Sequence, residues 1–315
     1  MLTIEKAIDL FLVDRELKGN TEKTLKNYRQ FLGYFVDYIG ANKRVDELIL
    51  GDLKGYHLYL MKKPKYEGHP FKVNSDKGIS KVSIQTYLRT LRVFIYYLFE
   101  EGYTTENLGH KFKLPKAPKK TVDILSDEEI DKLLNAITEN SEFQVRNKCM
   151  IVLMLDSGLR RNEVLDLEYD KVHISQNIIK VFGKGQKERL VPIGLYTKKL
   201  LLKYIQMYRP ISEYPTKKLF LDQNKRPMTE NAIKMIFTRL RKKTNIDRLH
   251  PHMLRHTFAT RYLIHGGDIF SLQQILGHTS LEMVRRYSHV ASSYLISNHK
   301  RLSPLDNFQK NKYRF

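Results

Sequence analysis

The segment at residues 114–121, with the sequence LPKAPKKT, divides this chain into two parts that we expect to fold separately. Its two prolines remove backbone hydrogen-bond donors and favour extended structure, and its lysines disfavour burial. A chain of 315 residues also has the length of two ordinary domains. The sequence therefore predicts a first domain over 1–112, a basic linker over 113–123, a second domain over 124–290 and a tail over 291–315.

The first part has a helical pattern throughout. Apolar residues recur at helical spacing from Ile4 to Leu17, Thr21 is suited to be an N-cap, and Gly40 ends the pattern that follows. We expect helices at 4–17, 22–39, 53–61 and 83–101. The stretch at 62–80 is basic and contains prolines and glycines, so it is predicted to be a long loop.

The second part mixes helices with a small sheet. Two segments, 178–182 and 188–193, are typical of strands, and GKGQK at 183–187 would join them as a hairpin. Ser126 and Glu129 have the spacing of a capping box. Helices are expected at 129–137, 145–156, 162–166, 197–208, 229–242, 252–265 and 268–276. The predicted fold class is mainly α with a small β-sheet.

Composition favours a polyanionic partner. The formal net charge is +21 and the pI is about 9.7, and Lys and Arg gain affinity for nucleic acid by releasing counterions from its phosphates. A solvated cationic surface is the alternative. Cys149 is the single cysteine, so an intramolecular disulfide and a cysteine-based zinc site are excluded, and we expect it to be a core residue in a reducing cytoplasm. With no signal peptide and no apolar run long enough to span a bilayer, a soluble cytoplasmic protein is expected.

Two basic motifs in the second part are candidate phosphate sites. Arg160 follows a glycine at the start of a predicted helix, where free N–H groups favour an anion, and Glu163 is placed to orient its guanidinium. These residues are equally well read as surface charges that cap a turn. Lys184 lies between two glycines at the hairpin tip, where it can donate a proton to a leaving alkoxide if its pKa is lowered. A solvated tip is the simpler reading of a lone GKG, and the spacing does not fit a P-loop.

A third cluster lies near the end of the chain. His252 and Arg255 share one face of a predicted helix, and His278 and Tyr287 follow. A zinc site built from His252, His256 and His278 is disfavoured by the surrounding cations, which favour an anion instead. A phenol with a pKa near about 10 becomes a nucleophile only where cations stabilise the phenolate or the transition state.

Taken in order and with their spacing, these motifs resemble those of the tyrosine recombinase (phage integrase) family. The matching positions are Arg160, Lys184, His252, Arg255, His278 and Tyr287, supported by Glu163. The helical first part, with TLKNY at 24–28, is similar to the family's SAM-like core-binding domain. The resemblance implies a core-binding domain and a mixed α/β catalytic domain that form a C-shaped clamp on DNA.

The resemblance also implies roles. Tyr287 would attack the scissile phosphate, Lys184 would protonate the leaving oxygen, and Arg160 and Arg255 would clamp the non-bridging oxygens. His252 and His278 would assist by hydrogen bonding and proton transfer, with no metal and no cofactor. DNA contacts are expected from Thr24, Lys26, Lys116, Lys119, Lys120, Lys187, Arg189, Arg239 and Arg241.

The partner implied is double-stranded DNA with inverted-repeat core sites, bound by a homotetramer that passes through a Holliday junction in the cytoplasm, at the nucleoid. The tail after Tyr287 would dock on a neighbouring protomer, or fold back in cis. A type IB topoisomerase and a catalytically silent DNA-binding accessory protein are the alternatives. Integration or excision, transposition, inversion and resolution stay open. We expect no additional arm-binding domain before the first helix, which favours a simple two-domain recombinase.

Overall fold

The structure, a computed structural model, describes residues 2–65, 75–116, 122–183, 188–212 and 214–277, together with 299, 303–306 and 308. It divides into two compact units, Met1–Lys120 and Thr121–Phe315. The described part is mostly helical with a small three-stranded sheet in the second unit, which confirms the predicted fold class. None of its helices is both long and apolar enough to cross a membrane.

The first unit is a helical bundle around an apolar core. Its helices are α1 (Ile4–Leu17), α2 (Glu22–Ile39), α3 (Leu50–Lys62), α4 (Lys81–Glu100) and α5 (Leu108–Lys111), with a 3₁₀ turn at Val45–Glu47. The Thr21 side chain caps α2 as predicted, accepting a hydrogen bond from Thr24 N. Helices α3 and α4 begin a few residues earlier than expected, because Asp52 and Ser80 cap their first turns.

The long loop expected over 62–80 contains two short strands, one near each end. Strand β1 (Pro64–Lys65) pairs antiparallel with β2 (Ser75–Gly78). A proline is compatible with such a pairing at the start of an edge strand, where no donor is required of it. Residues 66–74 between the two strands lie outside the described residues.

The second unit packs helices around a central apolar helix. Its elements are α6 (Asp127–Ala136), α7 (Glu142–Asp156), α8 (Arg161–Asp166), β3 (Val172–His173), β4 (Ile178–Phe182), β5 (Glu188–Pro192), α9 (Leu195–Lys203), α10 (Glu230–Thr244), α11 (Pro251–Ile264) and α12 (Ile269–Leu276). The sheet is antiparallel in the order β3-β4-β5. Helix α7 is buried along most of its length, and Cys149 is a buried core residue, as predicted.

Local details of the second unit follow from the same physics. Ser126 and Glu129 form the predicted capping box at the start of α6, each side chain accepting the other's backbone N–H. The helix expected at 197–208 ends as α9 at Lys203 and continues as a π-helical turn, Tyr204–Tyr208. Helix α11 packs against α7 and α12. The turn after α7, which contains Gly158 and Leu159, lies against the end of α12, since a Cβ at Gly158 would lie 2.8 Å from Leu276 Cδ2.

Candidate active site

Arg160 lies in the turn that joins α7 to α8, and that turn requires glycine at Gly158. Gly158 has φ +63°, and a Cβ there would lie 2.4 Å from Phe258 Cδ1 and 2.8 Å from Leu276 Cδ2. Leu159 is fully buried and anchors the next residue. Arg160 therefore leaves the core at a fixed point, and a third of its side chain stays exposed.

The carboxylate of Glu163 organises the Arg160 side. It accepts Arg160 N at 2.8 Å and Arg160 Nη1 at 2.7 Å, and both terminal nitrogens of Arg189 at 2.8 Å each. Burial opposes ionisation of Glu163, but the hydrogen bonds and charges of Arg189 and Arg160 prevail and lower its pKa to about 2. The expectation that Glu163 orients a guanidinium agrees with this geometry, in which it holds two.

Arg255 holds the opposite side of the same turn. It lies on α11, is 4% exposed, and donates from Nη1 to Gly158 O at 2.6 Å and from Nη2 to Leu276 O at 2.7 Å. The guanidinium thus joins the end of α7 to the end of α12. Arg160 and Arg255, 95 positions apart in the sequence, are brought to one place by these bonds.

Three arginines converge on the carboxyl end of α12. Arg189 Nε donates to Ile275 O at 2.8 Å, Arg255 Nη2 donates to Leu276 O, and Arg160 Nη2 donates to Gly277 O at 3.3 Å. The last carbonyls of a helix have no partner within it and carry the negative end of its dipole, so three cations are stabilised there together. We refer to Arg160, Glu163, Arg189, Arg255 and the 275–277 carbonyls as the arginine cluster.

His252 lies one turn before Arg255 on α11. Its pKa is lowered from 6.5, first by burial and then by the positive charge of Arg255, His250, Arg161 and Arg160. At neutral pH its imidazole is therefore uncharged, with one nitrogen able to donate and the other to accept a hydrogen bond. Among the residues that the structure describes, no group of three His, Cys, Asp or Glu side chains is arranged to hold a metal ion.

Other predicted site residues are placed as follows. Lys26, Lys116 and Arg239 are exposed, Thr24 and Arg241 are partly buried, and Arg241 Nη2 donates to Thr238 Oγ1 at 3.0 Å. Lys184, His278 and Tyr287 lie outside the described residues, as do Lys119, Lys120 and Lys187.

Arg189 is the residue whose surroundings depart most from the expectation. The sequence grouped it with the DNA contacts, but its side chain is 11% exposed and all three of its guanidinium nitrogens donate within the protein. Its side chain is also less exposed than that of Arg160, which is 33% exposed, and its bonds link two distant segments of the protein. Its spacing one residue after Glu188 on β5 offered no signal of this, because the partners are 26 and 86 positions away.

Comparisons with known proteins agree on one family. Residues 123–293 match the phage integrase family, and residues 7–114 match the phage integrase SAM-like domain. The tyrosine recombinase XerD of Oceanobacillus iheyensis is 32% identical over 300 residues, which cover 93% of this chain and 96% of that protein. The XerD of Listeria monocytogenes serovar 1/2a is 28% identical, with 96% and 98% covered.

Solved structures share the same fold. The integrase of the Tn1549 transposon, in complex with a circular intermediate DNA, aligns with a TM-score of 0.77 at 20% identity, covering 96% of this chain and 100% of that one. Sequence identity at that level supports the architecture alone.

Proposed function

This chain belongs to the phage integrase family and is a tyrosine-type site-specific recombinase, and we propose that it cuts and rejoins DNA through a covalent bond to Tyr287. The Tyr287 oxygen attacks the scissile phosphorus, and the bond from phosphorus to the 5′ oxygen breaks. The products are a 3′-phosphotyrosyl link and a free 5′ hydroxyl. The reverse attack by a 5′ hydroxyl rejoins a strand without an external energy source, because the phosphotyrosine retains the bond energy.

The observation that carries this proposal is the convergence of Arg160 and Arg255 at the end of α12, with His252 near enough for both charges to lower its pKa. Negative charge builds on the non-bridging oxygens as the phosphorane forms, and cations held in advance by the fold stabilise that charge without reorganising. The bonds from Glu163, Gly158 O and Leu276 O hold both guanidinium groups in advance.

The remaining roles concern proton transfer. Lys184 would protonate the leaving 5′ oxygen, and His278 would hydrogen-bond a non-bridging oxygen. A neutral His252 is suited to accept the Tyr287 proton or to hydrogen-bond the phosphate, since it carries both a donor and an acceptor at neutral pH.

DNA contacts beyond the scissile phosphate rest on exposed cations in both units. Helix α10 exposes Lys234, Arg239 and Lys242, and we assign DNA contacts to these three cations and to Arg241. Thr24, Lys26 and Lys116 are assigned to the phosphate backbone, together with Lys119, Lys120 and Lys187. Contacts of this kind make binding depend steeply on salt.

The assembly completes the proposal. Residues 1–112 would bind the core site, 124–290 would carry the chemistry, and the tail at 291–315 would dock on a neighbouring protomer. Four protomers would synapse two inverted-repeat sites at the nucleoid and pass through a Holliday junction. Two biological reactions are candidates, namely resolution and the integration or transposition of a mobile element. The curated relatives are named XerD, and the fold is shared with the integrase of a transposon.

The test is capture of the covalent intermediate. Protein is mixed with nicked suicide DNA from the region flanking its own gene, with EDTA present, and the products are resolved on a denaturing gel. The wild type and Tyr196→Phe, a control with an exposed phenol on α9, should give a covalent band that Tyr287→Phe lacks. Bound DNA without a covalent band in the wild type would leave a DNA-binding protein, whereas relaxation of plasmids that lack a site would indicate a topoisomerase.

A further inference from the structure

We propose that Arg189 is a positioning residue of the recombination reaction, which fixes the Arg160 clamp relative to the end of α12. The inference rests on the proposed function and deepens it by assigning a role to a residue of β5. Arg189 would not contact DNA. It would act through Glu163, which in turn holds Arg160.

The first observation is that Arg189 joins two parts of the site that do not otherwise share a strand or helix. Its Nη1 and Nη2 donate to the two oxygens of Glu163, while its Nε donates to Ile275 O. The two-pronged bond fixes the plane of the carboxylate. Arg160 N and Nη1 bind that same carboxylate, so the direction of the Arg160 guanidinium follows from the Arg189 fork.

The second observation is how closely the site is built around the Arg189 stem. Gly277 has φ +61° and ends α12, and a Cβ there would lie 3.0 Å from Arg189 Cδ and 3.1 Å from Arg189 Nε. The glycine thus gives the stem room at the place where the Ile275 and Gly277 carbonyls receive their arginines.

These contacts separate a positioning role from a purely electrostatic one. A lysine at 189 would keep the charge but could not donate to both Glu163 oxygens and to Ile275 O from one planar group. Without the fork, the carboxylate keeps its two bonds from Arg160 but loses the restraint on its plane. A displacement of about 1 Å at a reacting group is enough to lower a rate by about 100-fold.

The variants are Arg189→Met, which keeps the apolar stem, and Arg189→Lys. The matched control is Arg248→Met, because Arg248 also binds a carboxylate with two nitrogens, Glu129 at 2.6 and 2.7 Å, and a backbone carbonyl, Ile124 O at 3.2 Å. Each protein is checked by circular dichroism and by its affinity for the DNA site. Single-turnover cleavage is then measured on the suicide substrate.

Three scissile groups tell where Arg189 acts: a phosphate, a neutral methylphosphonate and a 5′-phosphorothiolate. The methylphosphonate lacks the charged oxygen that Arg160 neutralises, whereas the sulfur leaving group needs no proton. We expect Arg189→Met to cleave the phosphate about 10- to 100-fold more slowly than the wild type, with unchanged affinity for DNA. The same reduction in cleavage rate is expected on the phosphorothiolate. On the methylphosphonate the reduction in rate should be far smaller. Arg160→Ala should show the same pattern, and Arg189→Met added to it should cost little more.

Arg189→Lys should be more stable than Arg189→Met, because it keeps the positive charge beside Glu163, but it should not regain the wild-type cleavage rate. The control Arg248→Met should cleave at the wild-type rate. The proposal is overturned if Arg189→Met cleaves at the wild-type rate, or if its cleavage rate falls equally on phosphate and methylphosphonate. It is also overturned if the rate is normal on the phosphorothiolate, because Arg189 would then act through the general acid. A loss of DNA affinity at a normal cleavage rate would restore it to the DNA contacts. If the wild-type protein forms no covalent band, the proposed function itself is refuted. None of the other outcomes would refute it.

Discussion

Replacing Glu163 by glutamine should destabilise the second unit by several kilocalories per mole at neutral pH. The substitution keeps the size and shape of the side chain and removes its charge. The carboxylate is 6% exposed and accepts four hydrogen bonds from Arg160 and Arg189. The amide of glutamine has one acceptor oxygen and would direct its NH₂ at a guanidinium.

The magnitude follows from two independent routes. The pKa of Glu163 falls from 4.5 to about 2, which at about 1.4 kcal/mol per pKa unit corresponds to about 3 kcal/mol in favour of the folded state. Removing one partner of a buried ion pair typically costs about 3–5 kcal/mol, because the other charge stays buried without compensation. Both routes give a loss far above the effect of an exposed pair.

The pH dependence has a definite sign. Because the folded-state pKa lies below the unfolded one, the contribution is complete above about pH 5 and is lost as the pH falls towards about 2, with about half of it gone near pH 3. The difference in stability between wild type and Glu163→Gln should therefore be constant from pH 7 to 5 and shrink below about pH 4.5.

Cys149 provides a probe that reports on the second unit alone. It is the single cysteine of the chain and is 1% exposed within α7, so its thiol becomes reactive only when that unit unfolds. Urea titrations at several pH values are sampled with a short pulse of a pyridyl disulfide, and the labelled fraction gives the unfolding curve. Unfolding of the first unit does not contribute to this signal.

Glu129→Gln is the matched control, since Glu129 also binds an arginine with both oxygens but that Arg248 side chain is 45% exposed. Its loss should stay below about 1 kcal/mol. A loss for Glu163→Gln no larger than that of the control, or one that does not change between pH 7 and 3, would refute the assignment of a buried, ionised carboxylate.

Further predictions concern the turn, the histidine, the nucleophile and the DNA surface. Gly158→Ala should cost about 2–5 kcal/mol in the same Cys149 titration, because it adds left-handed strain to a clash with Phe258. The His252 imidazole should titrate below pH 6.5 by NMR and more normally in Arg160→Ala, whose charge contributes to lowering the pKa. Covalent capture should be unchanged by EDTA and absent in Tyr287→Phe, and a metal-dependent band would contradict it. Arg239→Ala should weaken DNA binding and reduce its salt slope by about 1, as measured by fluorescence anisotropy.

Much of the fold could be predicted from the sequence because its signals are local. The N-cap at Thr21, the capping box at Ser126 and the alternation in β4 each act within a few residues, and the elements there agree with expectation. Strand β3 was missed because a pair of residues, Val172–His173, is too short to show alternation. The β1–β2 pairing was missed for a related reason, since its two strands are separated by nine residues with no strand pattern.

The sequence pointed to the candidate site residues but not to the contacts that hold them. Motif spacing singled out Arg160, Glu163, His252 and Arg255, and their proposed roles in the reaction stay predictions. The sequence misplaced Arg189, because a basic residue beside a basic hairpin tip has the same local pattern whether it faces DNA or the core. The fold decides between the two by bringing Glu163 and Ile275 to it from distant segments.

The arginine cluster makes assembly of the clamp depend on tertiary folding. Residues from the α7–α8 turn, from β5 and from α11 meet three consecutive carbonyls at the end of α12. In the separate segments these carbonyls would lack their arginines, and Glu163 would lack Arg189. Arginines on isolated segments would have no fixed geometry relative to one another. In the folded unit the end of α12 and the Glu163 carboxylate fix the spacing of the arginines in the absence of DNA. For the strand cleavage that we propose, this arrangement is an advantage, because the proposed phosphate clamp is complete only when the second unit is correctly folded.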